Sequence, residues 1–161
     1  MTLDFTIEDP RTDEVHVVLD SHLRFTNAVT PPNGVFALDV SGLLDPSVTV
    51  FGARQDGVLL GIGAIKMLPG GLAELKSLHT LEGSRGQGIG RGLIERLTVE
   101  AVARGCSTLL LETGTIEDFA PARALYLRCG FAPCERFGEY VGSSTSICMS
   151  LDLAGVGPGS S

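Results

Sequence analysis

Ser84-Arg85-Gly86-Gln87-Gly88-Ile89-Gly90-Arg91-Gly92 puts glycine at four alternate positions, directly ahead of a run with helical periodicity. Ile89, Leu93, Leu97 and Ala101 recur every fourth residue, with Ile94 and Val102 beside them, and the run closes at Arg104-Gly105. This predicts an amphipathic helix with a glycine stop. Upstream, Leu72 to Leu81 reads as a strand, so the glycines occupy a strand-to-helix loop. Successive backbone N–H groups can turn inward there, at a helix N-terminus whose macrodipole also favours an anion. Such a loop suits a pyrophosphate. The nucleotide P-loop needs Lys-Ser/Thr after its last glycine, whereas Gly90 is followed by Arg91-Gly92. The dinucleotide pattern G-x-G-x-x-G fails in both registers, since its third glycine would fall on Arg91 or Leu93. The pattern R/Q-x-x-G-x-G/A fits from Arg85 to Gly90.

Working outward, Val48-Thr49-Val50-Phe51 runs into an Asp56-Gly57 turn, Val58 to Met67 returns, and Pro69-Gly70-Gly71 turns again into Leu72 to Leu81. The prediction is a three-stranded antiparallel meander. Ahead of it, Leu3 to Ile7 alternates like an edge strand, and Val15, Leu19, His22 and Leu23 give a first helix ending near Pro31-Pro32. Asn33 to Pro46 carries no clear period. After the glycine loop and its helix, Thr108-Leu109-Leu110-Leu111 predicts a strand buried on both faces, completing a crossover unit. A short helix from Phe119 to Cys129 has Pro121 in its first turn and stops at Gly130. Phe131 to Phe137 and Ser146 to Leu153 are the last two strands. Residues 1–153 read as one domain, with a Gly/Pro/Ser tail over 154–161.

A chain of 161 residues suits one α/β domain. Its 21 glycines exceed the roughly 11 expected at average usage, and the loop concentrates part of that excess. Twelve Lys+Arg against nineteen Asp+Glu give a net charge of −7, which argues against binding nucleic acid through a basic surface. No apolar run approaches a membrane span, and the N-terminal residues carry neither a basic nor an apolar leader segment, so the expectation is a cytoplasmic protein without membrane attachment. Cys106, Cys129, Cys134 and Cys148 form no CxxC pair and have no His cluster; reduced structural thiols and no metal are expected.

The loop, with Leu125-Tyr126-Leu127-Arg128-Cys129-Gly130-Phe131 as a Tyr-x-x-x-Gly-Phe signature, resembles the GCN5-related N-acetyltransferases (GNAT) from about Val48 to Leu153. The segments TPPNGVFALDVSGLLDPSVT, AELKSLHT, LLLETG and FAPARALYLRCGFAPCERFGEY are similar to a bacterial subgroup of these acetyltransferases. The resemblance implies a mixed, splayed sheet of about six or seven strands with flanking helices. It also implies acetyl-CoA as co-substrate, bound through Arg85, Gly86, Gln87, Gly88, Ile89, Gly90 and Arg91, with Gly92 completing the glycine cluster. Backbone groups of Leu78 and Thr80 would meet the pantetheine amides, and the N–H of Leu78 would serve the oxyanion.

Acetyl transfer to an amine requires a deprotonated nucleophile, a stabilised oxyanion and a proton for the departing thiolate. Tyr126 matches the family's general acid. For the base, Glu74 lies on the strand eleven residues before Arg85, while Glu112 ends the apolar strand, where a carboxylate is costly unless paired or functional. The sequence leaves both open, along with ammonium recognition or an ion pair with Lys76. His79 is open between a proton relay and packing. Many family members carry Asn where Phe119 stands, which puts the grip on the pantetheine arm in question. Cys129 and Cys134 have no His partner, so an acetyl-cysteine route is disfavoured. The expected reaction is direct attack by a small-molecule or protein amine; a homodimer stays open, and so does a longer acyl donor. A non-catalytic acyl-CoA-binding module is the competing reading.

Overall fold

A computed structural model describes residues 2–29 and 38–155. β1 (Leu3–Glu8), β2 (Val48–Gln55), β3 (Val58–Leu68) and β4 (Leu72–Thr80) pair antiparallel in succession, so the predicted meander forms with β1 added at its edge. The chain then crosses through α3 (Ile89–Ala103) to β5 (Thr108–Gly114), which lies parallel to β4. β7 (Ser146–Asp152) and β6 (Ala132–Cys134) complete a seven-stranded sheet in the order β1-β2-β3-β4-β5-β7-β6.

Alternation along the strands builds a core on each face of this sheet. Phe51, Ile65 and Leu75 pack with Leu93 and Leu97 of α3 and with Tyr126 of α4 (Ala120–Arg128). Val50, Ile62 and Ala64 point the other way, onto Val15, Val18 and Leu19 of α1 (Asp13–Val29) and Leu43 of α2 (Val40–Leu43). Each fully buried Leu or Ile contributes about 1.5–3 kcal/mol, which fixes α1 and α3 on opposite faces. α2 falls in the segment without clear period; Asp39 caps it by accepting the Gly42 N–H at 2.9 Å. The predicted helix stop at Pro31-Pro32 lies outside the described residues, as does the tail from residue 156 on.

Three departures from the predicted elements have local causes. β6 spans three residues rather than Phe131 to Phe137. In its register position 136 would face Ser146, and there the Arg136 side chain, not a backbone N–H, donates to the Ser146 carbonyl at 3.0 Å. The short helix begins as a 3-10 turn over Glu117–Phe119, with α4 proper starting at Ala120. Third, β4 does not alternate throughout. Ile62 faces His79 and Ala64 faces Lys76, so Ser77 and Leu78 together oppose the single Gly63. Ser77 has φ +56; this β-bulge puts Leu78 on the α3 face and returns His79 to the α1 face with Glu74 and Lys76.

Candidate active site

β4 and β5 pair only where Leu72–Leu75 lies beside Thr108–Leu111. Both strands continue past that point without each other, and a cavity of about 620 Å³ opens in the gap. Every predicted site residue except Gln87 lines it. The cavity thus reaches from the glycine loop on the α3 side to the carboxylates on the α1 side.

At the loop end, Gly86 and Gly88 have φ of +82 and +79, and a Cβ on either would meet nothing within 4 Å. Glycine is required there for the backbone angle, not for space. The first helical bond runs from the Gly92 N–H to the Gly88 carbonyl at 2.9 Å, so the N–H groups of Ile89, Gly90 and Arg91 have no partner within the helix. Arg85 Nε reaches the Thr80 carbonyl at 3.5 Å, and Arg91 forms an exposed pair with Glu95 at 3.2 Å. Bare donors, a helix N-terminus and arginines fit a pyrophosphate. Gly92 belongs to packing instead: a Cβ there would sit 2.4 Å from the Phe5 ring, so this glycine admits β1 against α3.

On the α1 face the carboxylates have different surroundings. Glu74, 5% exposed, accepts from the Tyr140 hydroxyl at 2.5 Å and from Lys76 Nζ at 3.4 Å. Lys76 also donates to the Tyr140 oxygen at 2.8 Å. The Lys76 ion pair weighed from sequence is therefore made, and Tyr140, which the sequence reading passed over, closes it into a triangle. Burial, and then Glu74, hold Tyr140 well above the usual phenol range. Glu112 is half-buried and lies beyond the end of the β4–β5 pairing. Burial pushes its carboxyl up, and Glu74 and Glu139 add to this, against a hydrogen bond with Ser146 and the charge of Lys76.

Tyr126, 7% exposed, presents its ring edge-on to Phe131 at 6.0 Å. Burial first, then the charge of Glu112, raises its phenol, and among the described residues no group hydrogen-bonds the hydroxyl. His79 sits 2.8 Å from Ser21 Oγ and 5.2 Å from the His22 ring. Burial and Arg85 push His79 down to about 4, and burial and His79 push His22 down to about 4, so both imidazoles are neutral at neutral pH. Phe119 turns its ring over Gly114 and meets Phe25 of α1 edge to face. Arg123 Nη1 secures the loop between β5 and α4 by donating to the carbonyls of Gly114 and Ile116 at 2.7 and 2.8 Å. Burial raises all four thiols above their ordinary value, which disfavours thiolates as nucleophiles.

Residues 16–131 match the Acetyltransferase (GNAT) family. The chain is 33% identical over 147 residues to the uncharacterized N-acetyltransferase YsnE of Bacillus subtilis, covering 91% of this chain and 97% of that protein. It is 36% identical to the IAA acetyltransferase of Azospirillum brasilense, over 91% and 95% of the two chains. Among solved structures, a Klebsiella pneumoniae protein assigned as an acyl-CoA N-acyltransferase superposes with a TM-score of 0.81 at 27% identity, covering 94% of this chain and 98% of that one. A parallel strand pair that parts over a glycine-rich helix N-terminus, and sequence kinship along nine-tenths of its length, carry one conclusion: the chain belongs to the GNAT family of N-acetyltransferases.

Proposed function

We propose that this acetyl-CoA-dependent N-acetyltransferase works by direct attack of a primary amine, with both substrates held in the one cavity and residues 1–153 acting as a single domain. The observation that carries this reading is the parting of β4 from β5 after Leu75 and Leu111, which joins an anion cradle and two carboxylates through one opening. When bound, acetyl-CoA supplies an acyl group activated as a thioester. Arg85 to Arg91 hold the pyrophosphate, Gln87 through its backbone alone because its side chain is exposed outside the cavity. The free edge of β4 offers backbone groups of Leu78 and Thr80 to the amides of the coenzyme arm, and the Leu78 N–H to the acyl oxygen.

Glu112 takes the proton of the attacking amine. Glu74 already has Lys76 and Tyr140 on its Oε2, whereas the raised carboxyl of Glu112 brings its titration closer to neutrality, as a general base needs. Tyr126 is fully protonated at neutral pH and gives its hydroxyl proton to the departing sulfur. Initial rates of thiol release from acetyl-CoA over a panel of amines test the scheme. Intersecting double-reciprocal lines are expected. Parallel lines would overturn direct attack, and calorimetric binding of acetyl-CoA with no thiol release against any amine would replace the enzyme with a binding module.

A further inference from the structure

The two ends of the cavity differ in chemistry, and the end away from the glycine loop has an aromatic wall. Phe25 from α1 and Phe119 from the turn before α4 meet there with ring centroids 5.4 Å apart at 83°. Phe119 lies so close over β5 that a Cβ on Gly114 would sit 2.3 Å from its ring. Gly114 follows Glu112 by two residues on the same face of the strand, a separation of about 6–7 Å. An aromatic wall therefore stands one side-chain step from the carboxylate assigned to the amine.

Two cations beside this end are committed. Lys76 is held by Glu74 and Tyr140, and Arg123 by two carbonyls. The imidazoles of His22 and His79 also line the cavity and, being neutral, add no charge for an anionic acceptor. What remains is a carboxylate for an ammonium group and flat apolar surface beyond it. A polyamine would need a second carboxylate free of a cation; Glu74 is already engaged by Lys76 and Tyr140, and the third carboxylate in the lining, Asp118, is exposed.

We infer that Phe25 and Phe119 are specificity-determining residues that select an arylalkylamine, a primary amine joined to an aromatic ring by a short saturated spacer. This rests on the acetyl-transfer reading. The test is thiol release by the full chain with acetyl-CoA and, in parallel, 2-phenylethylamine, n-hexylamine, spermidine and a mixed pool of short peptides. The kcat/KM for 2-phenylethylamine should exceed that for each of the others by on the order of tenfold. Phe25→Leu and Phe119→Leu, which keep much of the volume, should collapse the ratio of phenylethylamine to hexylamine towards one; melting curves check that each variant is folded. Should one variant fail to fold, the other and the native ratio still decide. Equal rates across the panel, a preference for hexylamine, spermidine or peptides, or a ratio untouched by both substitutions would overturn the acceptor assignment while leaving acetyl transfer standing. No thiol release with any acceptor would overturn both.

Discussion

Glu74 and Glu112 show why residue type does not assign a base. Both are carboxylates on strands that border the cavity, yet one is closed into a triangle with Lys76 and Tyr140 and the other is pushed up by burial. Glu112→Gln should lower kcat by about 10²–10⁴-fold, the usual worth of a positioned general base. The linkage sign also follows. A carboxyl raised in the folded state binds its proton more tightly there, so its ionisation removes stability as pH rises from the unfolded to the folded pKa. Glu112→Gln should therefore melt higher than the native chain at neutral pH, and a lower melting temperature would speak against the raised carboxyl. Lys76→Met removes a charge that lowers Glu112, so the acidic limb of the kcat profile should move to higher pH; a limb that stays in place would exclude Glu112 as its source. Tyr126→Phe should lower turnover by about 10²–10⁴-fold with little change in coenzyme affinity; unchanged turnover would remove the acid. The sequence offered Lys76 as a partner for Glu74, two residues along the same strand. Tyr140 carried no such signal, because it meets Glu74 from 66 positions away.

At the scale of elements, the bulge in β4 marks where period-two reading fails. Strict alternation from Glu74 and Lys76 would put Leu78 with them and send His79 to the α3 face; the extra residue at Ser77 reverses both. Nothing in Lys76-Ser77-Leu78-His79 announces a bulge, since Ser is not a residue that positive φ favours. The glycine loop was legible for the opposite reason, as alternating glycines ahead of a helical period leave few other structures. Even so, spacing alone grouped Gly92 with Gly86, Gly88 and Gly90, and its neighbour Phe5 is distant in sequence. The two kinds of glycine predict separable effects. Gly88→Ala strains a left-handed residue by about 1–2 kcal/mol and should weaken coenzyme binding. Gly92→Ala must displace Phe5, costing about 1–3 kcal/mol as overpacking does, with coenzyme affinity retained in the folded protein. Calorimetric titration of each variant with coenzyme A distinguishes them, and equal losses of affinity would return Gly92 to the cradle.

For the whole molecule, the order of strands and helices could be read along the chain, but the closure of its edge could not. Arg54 of β2 donates to Glu8 of β1 at 2.7 and 3.0 Å and to Glu14 of α1 at 2.8 and 3.1 Å, tying β1 and the first turn of α1 to β2. Burial would raise the Glu8 carboxyl, but the hydrogen bonds from Arg54 and Thr6 outweigh it and hold the group below its usual value. A carboxyl lowered in the folded state gives its stabilisation in full above the unfolded pKa, near 4.5, and loses it as pH falls through the folded value. Arg54→Ala leaves Glu8, 8% exposed, without its main partner, at a cost of about 1–3 kcal/mol at neutral pH. The cost should shrink on acidification, because a protonated Glu8 no longer needs the guanidinium. Thermal melts of native and variant chains between pH 7 and pH 3 should therefore converge at the acid end, and a gap that stays constant with pH would mean that Arg54 acts through packing and not through the ion pair. The clamp lies at the sheet edge opposite β6, away from the parted strands, so the variant that folds should keep its kcat.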